Sequence, residues 1–316
     1  GDEIEQYGDR AAEIAITAEL FSDNPDDLDI LFGNLDSLDI IREADTLGAK
    51  PVEILENIDN LKALKSDNDI TPELEARYLA EPSQVRDLLD IKDEAKELGA
   101  DVNDIFANFE DLKRLKADSD VSPELEAQFL RDPGSVGTIL SVKDQAKALD
   151  ADVNDVLNNI DDLVALTENF HGDTSKVDAV LKNPNKAEML RDLTGKLDGK
   201  EDNLFENLDQ LDVIADLASD FGNDLSKMDT VFANADKASQ LRDLSDQLDG
   251  KSESLLANVD QLDVIADLAT DFGNDLTKMD TVFANADKAS QLRDLSDQLD
   301  GKSESLLANV DQLDVI

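Results

Sequence analysis

The sequence predicts an all-α protein, an α-solenoid of tandem helical pairs, from two repeat observations. Residues 213–263 reappear as residues 264–314 with only Ser219 and Ser226 replaced, both by Thr, so the period is 51 residues. Within that period, half-units of 24 and 27 residues alternate, and about twelve of them fill the chain. Repeats of this length are typical of elongated stacks in which each unit contacts only its neighbours.

A short pattern of two apolar residues, a variable residue and then Asn, Asp or Glu marks each half-unit. The pattern ends at Asn34, Asn57, Glu81, Asn108, Asp132, Asn159, Asn183, Asn207, Asn234, Asn258, Asn285 and Asn309. This register predicts one continuous repeat array over residues 34–316, truncated inside a repeat because Val315 and Ile316 match the middle of a long helix. Residues 1–33 are assigned to N-terminal helices, including a degenerate copy of the repeat.

Each long helix is predicted from one amphipathic stretch, and residues 258–273 are the example. Its apolar face comprises Leu262, Ile265, Leu268, Ala269 and Phe272, while Asp260, Asp263, Asp267 and Asp271 point elsewhere. Asn258 is the expected N-cap, because its side-chain oxygen can accept the free N–H groups of the first helical turn. Gly273 is expected to end the helix.

A shorter helix follows each long one, and proline marks where helices begin. Proline is tolerated at the first helical position because its missing N–H would have no partner there. All seven prolines fit this scheme: Pro25, Pro51, Pro72, Pro82, Pro123, Pro133 and Pro184. Alternating runs of β-branched residues and Asn-Gly turns are absent from the sequence, so no strand is predicted.

Three segments carry a family resemblance. Residues 78–89, 129–140 and 180–193 (YLAEPSQVRDLL, FLRDPGSVGTIL and VLKNPNKAEMLRDL) resemble the LAxDPxxxVRxxLA pattern of leucine-rich variant and HEAT-like repeats. The step of 24 residues is similar to that of the leucine-rich variant units, which pair a long helix with a short one. The resemblance implies an α-solenoid and transfers no functional residue. The cysteine cluster sometimes found with that family has no counterpart, because the chain contains no Cys.

The net charge of the chain limits which partners it can bind. The chain has 75 Asp and Glu residues against 29 Lys and Arg, which gives a formal net charge of −46. Nucleic acids and anionic membrane surfaces are bound through basic patches, so we expect neither as a partner. The sequence contains no apolar run of membrane-spanning length, and direct membrane insertion is not expected. Further copies of the chain and basic proteins are the expected partners.

The sequence offers little for catalysis. His171 is the only histidine, and without a cysteine or a partner base it cannot form a triad or a typical zinc site. Carboxylates occur throughout the chain, so pairs of them indicate no particular acid–base site. Gly222, Gly250, Gly273 and Gly301 follow helices as C-caps and match no phosphate-binding motif. We therefore expect that the protein is not an enzyme.

Calcium is the one ligand that the loops suggest, because Ca²⁺ takes six to eight oxygen ligands. Such oxygens gather after long helices at Asp220, Asn223, Asp224, Asp271, Asn274 and Asp275, with similar groups at Asp67, Asn68, Asp69, Asp118, Ser119 and Asp120. None of these groups has EF-hand spacing. The same residue types also cap ordinary helices, so bound Ca²⁺ and structural capping stay open as alternatives.

Two functions fit these observations. The near-identical copies favour a structural protein, the rod or filament-forming part of an extracellular or cell-surface fibre that associates with itself through equivalent repeat faces. The alternative is a solenoid scaffold that binds a basic protein or peptide on its concave face. Scaffolds usually vary exposed residues between repeats, whereas the last copies here differ at only two positions, which favours the structural role.

Overall fold

The computed structural model describes residues 10–22, 24–299 and 302–315. Every regular element in these ranges is an α-helix or a 3-10 helix, and they contain no strand, which confirms the all-α prediction. Contacts between Cα atoms divide the chain into two compact units, Gly1–Ser141 and Val142–Ile316. The repeat pattern of the sequence shows no break at this division.

In the first unit, each long helix packs on the next long helix. The α-helices are α1 (Ala11–Glu19), α2 (Pro25–Gly33), α3 (Leu38–Thr46), α4 (Pro51–Glu56), α5 (Ile58–Ser66), α6 (Pro72–Leu79), α7 (Val85–Glu97), α8 (Val102–Ala107), α9 (Phe109–Ala117) and α10 (Pro123–Phe129). Helix α11 (Pro133–Ala148) contains the division point between the units. Contacts link α1 to α3, α3 to α5, α5 to α7 and α7 to α9.

The second unit repeats this packing. Its α-helices are α12 (Val153–Asn158), α13 (Ile160–Asn169), α14 (Thr174–Lys182), α15 (Ala187–Lys196), α16 (Glu201–Glu206), α17 (Leu211–Asp220), α18 (Leu225–Ala233), α19 (Ala238–Gln247), α20 (Ser252–Ala257), α21 (Leu262–Asp271), α22 (Leu276–Ala284), α23 (Ala289–Gln298) and α24 (Ser303–Leu307). Contacts link α13 to α15, α15 to α17, α17 to α19, α19 to α21 and α21 to α23.

Short 3-10 helices precede many of the long helices. They cover Leu35–Ser37, Pro82–Gln84, Pro184–Lys186, Leu208–Gln210, Ala235–Lys237, Val259–Gln261, Ala286–Lys288 and Val310–Val315. All seven prolines occupy the first position of an α-helix or a 3-10 helix, so the proline register is confirmed.

The core of each unit is the row of apolar side chains on the long helices. In α21, the predicted apolar face is buried: Leu262, Ile265, Leu268, Ala269 and, just after the helix, Phe272. The four aspartates predicted to point elsewhere are all exposed. One period earlier, α17 buries the equivalent residues Leu211, Ile214, Leu217, Ala218 and Phe221. Each such Leu or Ile contributes roughly 1.5–3 kcal/mol through burial, so these faces hold the helices together.

The recurring asparagines are not the N-caps that the sequence predicts. The side chain of Asn258 accepts no capping hydrogen bond from the following turn. It stands instead at the end of α20, where its Nδ2 donates to the carbonyl oxygen of Ser254 at 2.8 Å. The same bond, to the carbonyl four residues earlier, is made by Asn34, Asn57, Asn108, Asn159, Asn183, Asn207, Asn234, Asn285 and Asn309.

This bond satisfies one of the carbonyls that a helix leaves free at its C-terminal end. The next long α-helix also begins later than the sequence predicts, at Leu262. The backbone oxygen of Asn258 accepts from the N–H of Gln261 at 2.9 Å and closes a 3-10 turn. The single long helix predicted over residues 258–273 is therefore a 3-10 turn followed by α21, an α-helix of 10 residues.

The glycine stops are confirmed where the structure describes them. After α21, Gly273 and Asn274 both have positive φ, 60° and 56°, and the N–H of Asn274 donates to the carbonyl of Ala269 at 2.8 Å. Positive φ favours glycine, and the returning N–H satisfies a carbonyl of the last helical turn. Gly222 and Gly250 also have positive φ after their helices, whereas Gly301 lies outside the described residues.

Candidate functional surface

Lysine side chains link neighbouring short helices, and the links recur with the period of the sequence. Lys227 Nζ lies 2.5 Å from Glu253 Oε1, which joins α18 to α20. One period later, Lys278 Nζ lies 2.5 Å from Glu304 Oε1. Lys251 likewise pairs with Asp280 on α22. These lysines thus hold one short helix against the next.

A second set of lysines reaches the 3-10 turn that precedes the next long helix. Lys186 Nζ donates to the carbonyl oxygen of Leu208 at 2.5 Å, and Lys237 Nζ donates to that of Val259 at 3.3 Å. The carbonyls of a short 3-10 turn have few partners within the turn. These bonds therefore fix the entry of each long helix relative to the previous one.

An inner polar link lies deeper between consecutive long helices. Ser245 on α19 is only 6% exposed, and its hydroxyl donates to Asp220 Oδ2 on α17 at 3.0 Å. Ser245 Oγ also lies 2.5 Å from Ser252 Oγ at the start of α20. One period later, Ser296 donates to Asp271 Oδ2 at 2.8 Å.

In the first unit, a buried lysine occupies the equivalent position of this link. Lys92 on α7 is 4% exposed and pairs with Asp67, at the end of α5, and with Asp93 at 2.8 Å. Sequence reasoning missed this position, although a polar residue recurs there in five consecutive periods: Lys92, Lys143, Thr194, Ser245 and Ser296. The recurrence of a polar residue beside an apolar face was the available signal.

The Lys92 pair is an ionised pair over the physiological pH range. Burial lowers the pKa of Lys92, but hydrogen bonds to Asp67 and Asp93 outweigh burial, so this pKa lies above its ordinary value. Burial raises the pKa of Asp67, but the hydrogen bond from Lys92 and the backbone N–H of Asp69 outweigh burial, so this pKa lies below its ordinary value. Both shifts favour the charged forms.

The predicted calcium ligands have structural roles in the helical turns. Asp224 is the N-cap of α18, and its Oδ1 accepts from the N–H groups of Ser226 and Lys227 at 2.9 and 3.2 Å. Asn223 takes the positive-φ position after α17, and Asp220 accepts the inner link from the next long helix. Asp220, Asn223 and Asp224 therefore have three different structural roles.

The copied group behaves in the same way. Asp275 caps α22 through Thr277 N and Lys278 N, Asn274 ends α21, and Asp271 accepts from Ser296. In the first unit, Asp67 accepts from Asp69 N at 2.9 Å, and Asp118 accepts from Asp120 N at 3.0 Å. Within the described ranges, no three acidic or histidine side chains are grouped so that they could hold a metal ion. Bound Ca²⁺ stays a prediction.

Exposed carboxylates form a repeated acidic row along the long helices. We define the acidic row as Asp209, Asp212, Asp216 and Asp220 on and just before α17, with Asp260, Asp263, Asp267 and Asp271 as its copy at α21; all eight are exposed. Arginines of the following long helices lie near the row, with Arg242 Nη1 3.7 Å from Asp216 and Arg293 Nη1 3.7 Å from Asp267. The row is a repeated anionic surface, suited to cations or to basic groups of a partner.

Two further observations bear on function. His171 is exposed, and its Nδ1 lies 2.8 Å from the carbonyl oxygen of Glu168 in the turn after α13. Among the helices of the described ranges, none has both the length and the apolar character that crossing a membrane requires.

Replacing Lys92 by Met is expected to destabilise the first unit by about 3 kcal/mol, because Asp67 is then left poorly solvated without its cation. Lys96→Met is the matched control: it removes the same charge from the same helix, but Lys96 is 49% exposed, so a loss below about 1 kcal/mol is expected. Thermal and urea unfolding of both variants measures the difference. Equal losses would contradict the buried-pair assignment.

The effect of Lys92→Met should depend on pH with a definite sign. The pKa of Asp67 is lowered in the folded chain, so its contribution is present above the ordinary carboxyl pKa, about 4, and is lost as pH falls through the folded value. The gap in unfolding midpoint between the variant and the native chain should therefore be wide near neutral pH and should narrow as the pH falls below the ordinary carboxyl pKa. A gap independent of pH would be inconsistent with this pair.

Chelation separates the two interpretations of the acidic turns. Because capping bonds engage Asp224 and Asp275, we expect the melting temperature to be the same with EDTA as without it. Calcium and magnesium chloride at equal ionic strength should then shift the melting temperature equally, through screening alone. A rise produced by calcium and not by magnesium would establish a Ca²⁺ site.

Comparison with known proteins leaves the chain without an assigned family. No protein-family model, no curated protein and no solved structure matches it. The fold class therefore rests on the helices and contacts described above, and the resemblance to leucine-rich variant and HEAT-like repeats stays a prediction from three sequence segments.

Proposed function

We propose that this chain is a structural repeat protein, part of an extracellular or cell-surface fibre, that associates with itself through equivalent faces of its repeats. The observation that carries the proposal is the recurrence of the same contacts and the same exposed row one period of 51 residues later. Identical units present identical surfaces, and such surfaces can engage further copies in register.

The packing inside each unit supports the proposal. Successive long helices contact one another inside each unit, as in solenoids of the leucine-rich variant or HEAT-like kind, and we include that architecture in the proposal. A chain with this packing lengthens by one period without rebuilding its core. Length is the property that a structural fibre needs, and duplication of residues 213–263 supplies it directly.

The charge of the chain sets the condition for self-association. Two chains that each carry a formal charge of −46 repel one another at low ionic strength. Salt screens exposed charges over a Debye length of about 8 Å at physiological ionic strength, and divalent cations can also bridge the acidic rows. We therefore place assembly at physiological or higher ionic strength.

A specific observation also favours the alternative function, a scaffold for a basic protein or peptide. The acidic row presents carboxylates at the spacing of successive helical turns on both α17 and α21. Basic side chains of a partner could pair with such a row without any conformational change in this chain. The two functions differ in what they require: the fibre needs a second copy, whereas the scaffold needs a cationic partner.

Sedimentation and negative-stain electron microscopy of the purified chain, at low and above physiological ionic strength, test the proposal. We expect monomers at low salt, and at high salt oligomers or filaments whose axial repeat is a multiple of one structural period. Polylysine is the probe for the alternative function.

Matched variants sharpen the test. Asp212→Lys and Asp263→Lys make the same change in two copies of the acidic row, so equivalent faces predict equal effects on assembly. Monomers under all conditions, combined with tight binding of polylysine, would replace the fibre with the scaffold. An effect confined to one of the two variants would contradict the use of equivalent faces.

A further inference from the structure

One joint of the second unit lacks the inner link of its copies. The middle joint lies between α13 and α15 and comprises Asn169, Thr194, Gly195 and Glu201. The copied joint lies between α17 and α19 and comprises Asp220, Ser245, Asp246 and Ser252. The two sets are equivalent positions separated by one period of 51 residues.

In the copied joint, three side chains bridge two long helices and a short one. Ser245 donates to Asp220 at 3.0 Å and lies 2.5 Å from the hydroxyl of Ser252. The arrangement recurs one period later, where Ser296 donates to Asp271 at 2.8 Å and lies 2.6 Å from Ser303 Oγ. A partly buried hydrogen bond to a carboxylate is stronger than one between two neutral groups.

In the middle joint, the equivalent side chains bond locally. Thr194 Oγ1 donates to the carbonyl oxygen of Arg191 in its own helix at 2.9 Å. Glu201 accepts from the N–H of Gly199 at 3.3 Å within its own turn. Asn169 is exposed and replaces the aspartate that receives the link in the copies. The inner link is therefore missing at this joint.

A cavity occupies the space beside the missing link. Its volume is about 510 Å³, and it is lined by Asn169, Phe170, Lys176, Arg191, Thr194, Gly195 and Glu201. Gly195 contributes no side chain, and no atom of a neighbouring element lies within 4 Å of the place where a Cβ would stand. Glycine inside a helix also lowers the helix propensity of α15 relative to the aspartate at the copied position.

The apolar residues at the middle joint are correspondingly less covered. Phe170 is half-buried, whereas its equivalents Phe221 and Phe272 are each 5% exposed. Phe205 is also half-buried, whereas its equivalent Leu256 is 7% exposed. Phe170 therefore removes less of its ring from water than its equivalents Phe221 and Phe272 do.

The other contacts of the middle joint do not compensate for the missing inner link or for the lower burial. Lys176 pairs with Asp202 at 2.6 Å, which matches the Lys227–Glu253 pair of the copied joint, and exposed ion pairs of this kind contribute little. Phe170 and Phe205 gain an edge-to-face contact with centroids 5.1 Å apart. Both rings are still only partly buried with this contact in place.

We propose that the middle joint is a compliant point of the second unit, at which α15 separates from α13 before the copied joints open. Local opening is easiest where apolar side chains are less buried and inner hydrogen bonds are missing, and Phe170 is less buried here and the inner link is absent. The joint would give the second unit a place to flex or to be cut while the copied joints stay closed. This property belongs to the single chain and does not depend on self-association.

Hydrogen exchange followed by mass spectrometry tests the proposal within one molecule. Amides of residues 190–197 in α15 should exchange at least about tenfold faster, after correction for intrinsic rates, than those of the equivalent peptide of the copied joint, which we use as the reference peptide. The reference peptide occurs twice with one sequence, at residues 241–248 and 292–299, so its rate is an average over two joints that both carry the link.

Two variants complete the test. Asn169→Asp combined with Thr194→Ser and Glu201→Ser installs the inner link in the middle joint and should slow exchange there toward the reference rate. Ser245→Ala removes the link from the copied joint, changes the mass of that peptide so that it is resolved from its copy, and should accelerate its exchange.

Equal exchange at the two joints of the native chain, or no effect of the triple variant when circular dichroism shows it folded, would overturn the proposal. If the triple variant does not fold, the native comparison and Ser245→Ala decide the question.

Discussion

The apolar face of each long helix has to be covered by the next long helix, and the other features of the structure depend on this constraint. Leu262 and Ile265 of α21 are removed from water by neighbouring helices, and helices of this length are not stable alone in water. Contacts inside each unit therefore run between neighbours in sequence. A unit of this kind can be copied, because a copy brings with it the surface that covers the one before it.

Apolar contact has no direction, so the polar links fix how one helix sits on the next. Lysines reach the following 3-10 turn or short helix, and the inner link of Ser245 or Lys92 joins consecutive long helices. The lysine links draw on a set of only 29 Lys and Arg residues, against 75 Asp and Glu residues in the chain. The polar links thus fix neighbouring helices relative to one another, and the excess of Asp and Glu makes the surface acidic.

Periodicity predicted the helices, the buried face of α21 and the position of every proline, because these features depend on residues close in sequence. The role of Asn258 was predicted wrongly, since an Asn side chain both donates and accepts, and helix geometry decides which end it serves. The Ser245–Asp220 link joins residues 25 apart and follows only from packing. The aspartates of the turns were identified as a group, but their separate capping roles depend on backbone conformation.

Deletion of residues 213–263 tests the central claim, that each period is a self-similar unit held by its neighbours. The deletion joins Asp212 to Val264 and recreates the sequence of α17 with Thr in place of Ser219, so α15 meets a nearly identical partner. The account predicts an unchanged helical signal per residue in far-ultraviolet circular dichroism and cooperative unfolding at a slightly lower midpoint. A loss of helicity well beyond the deleted residues would contradict it.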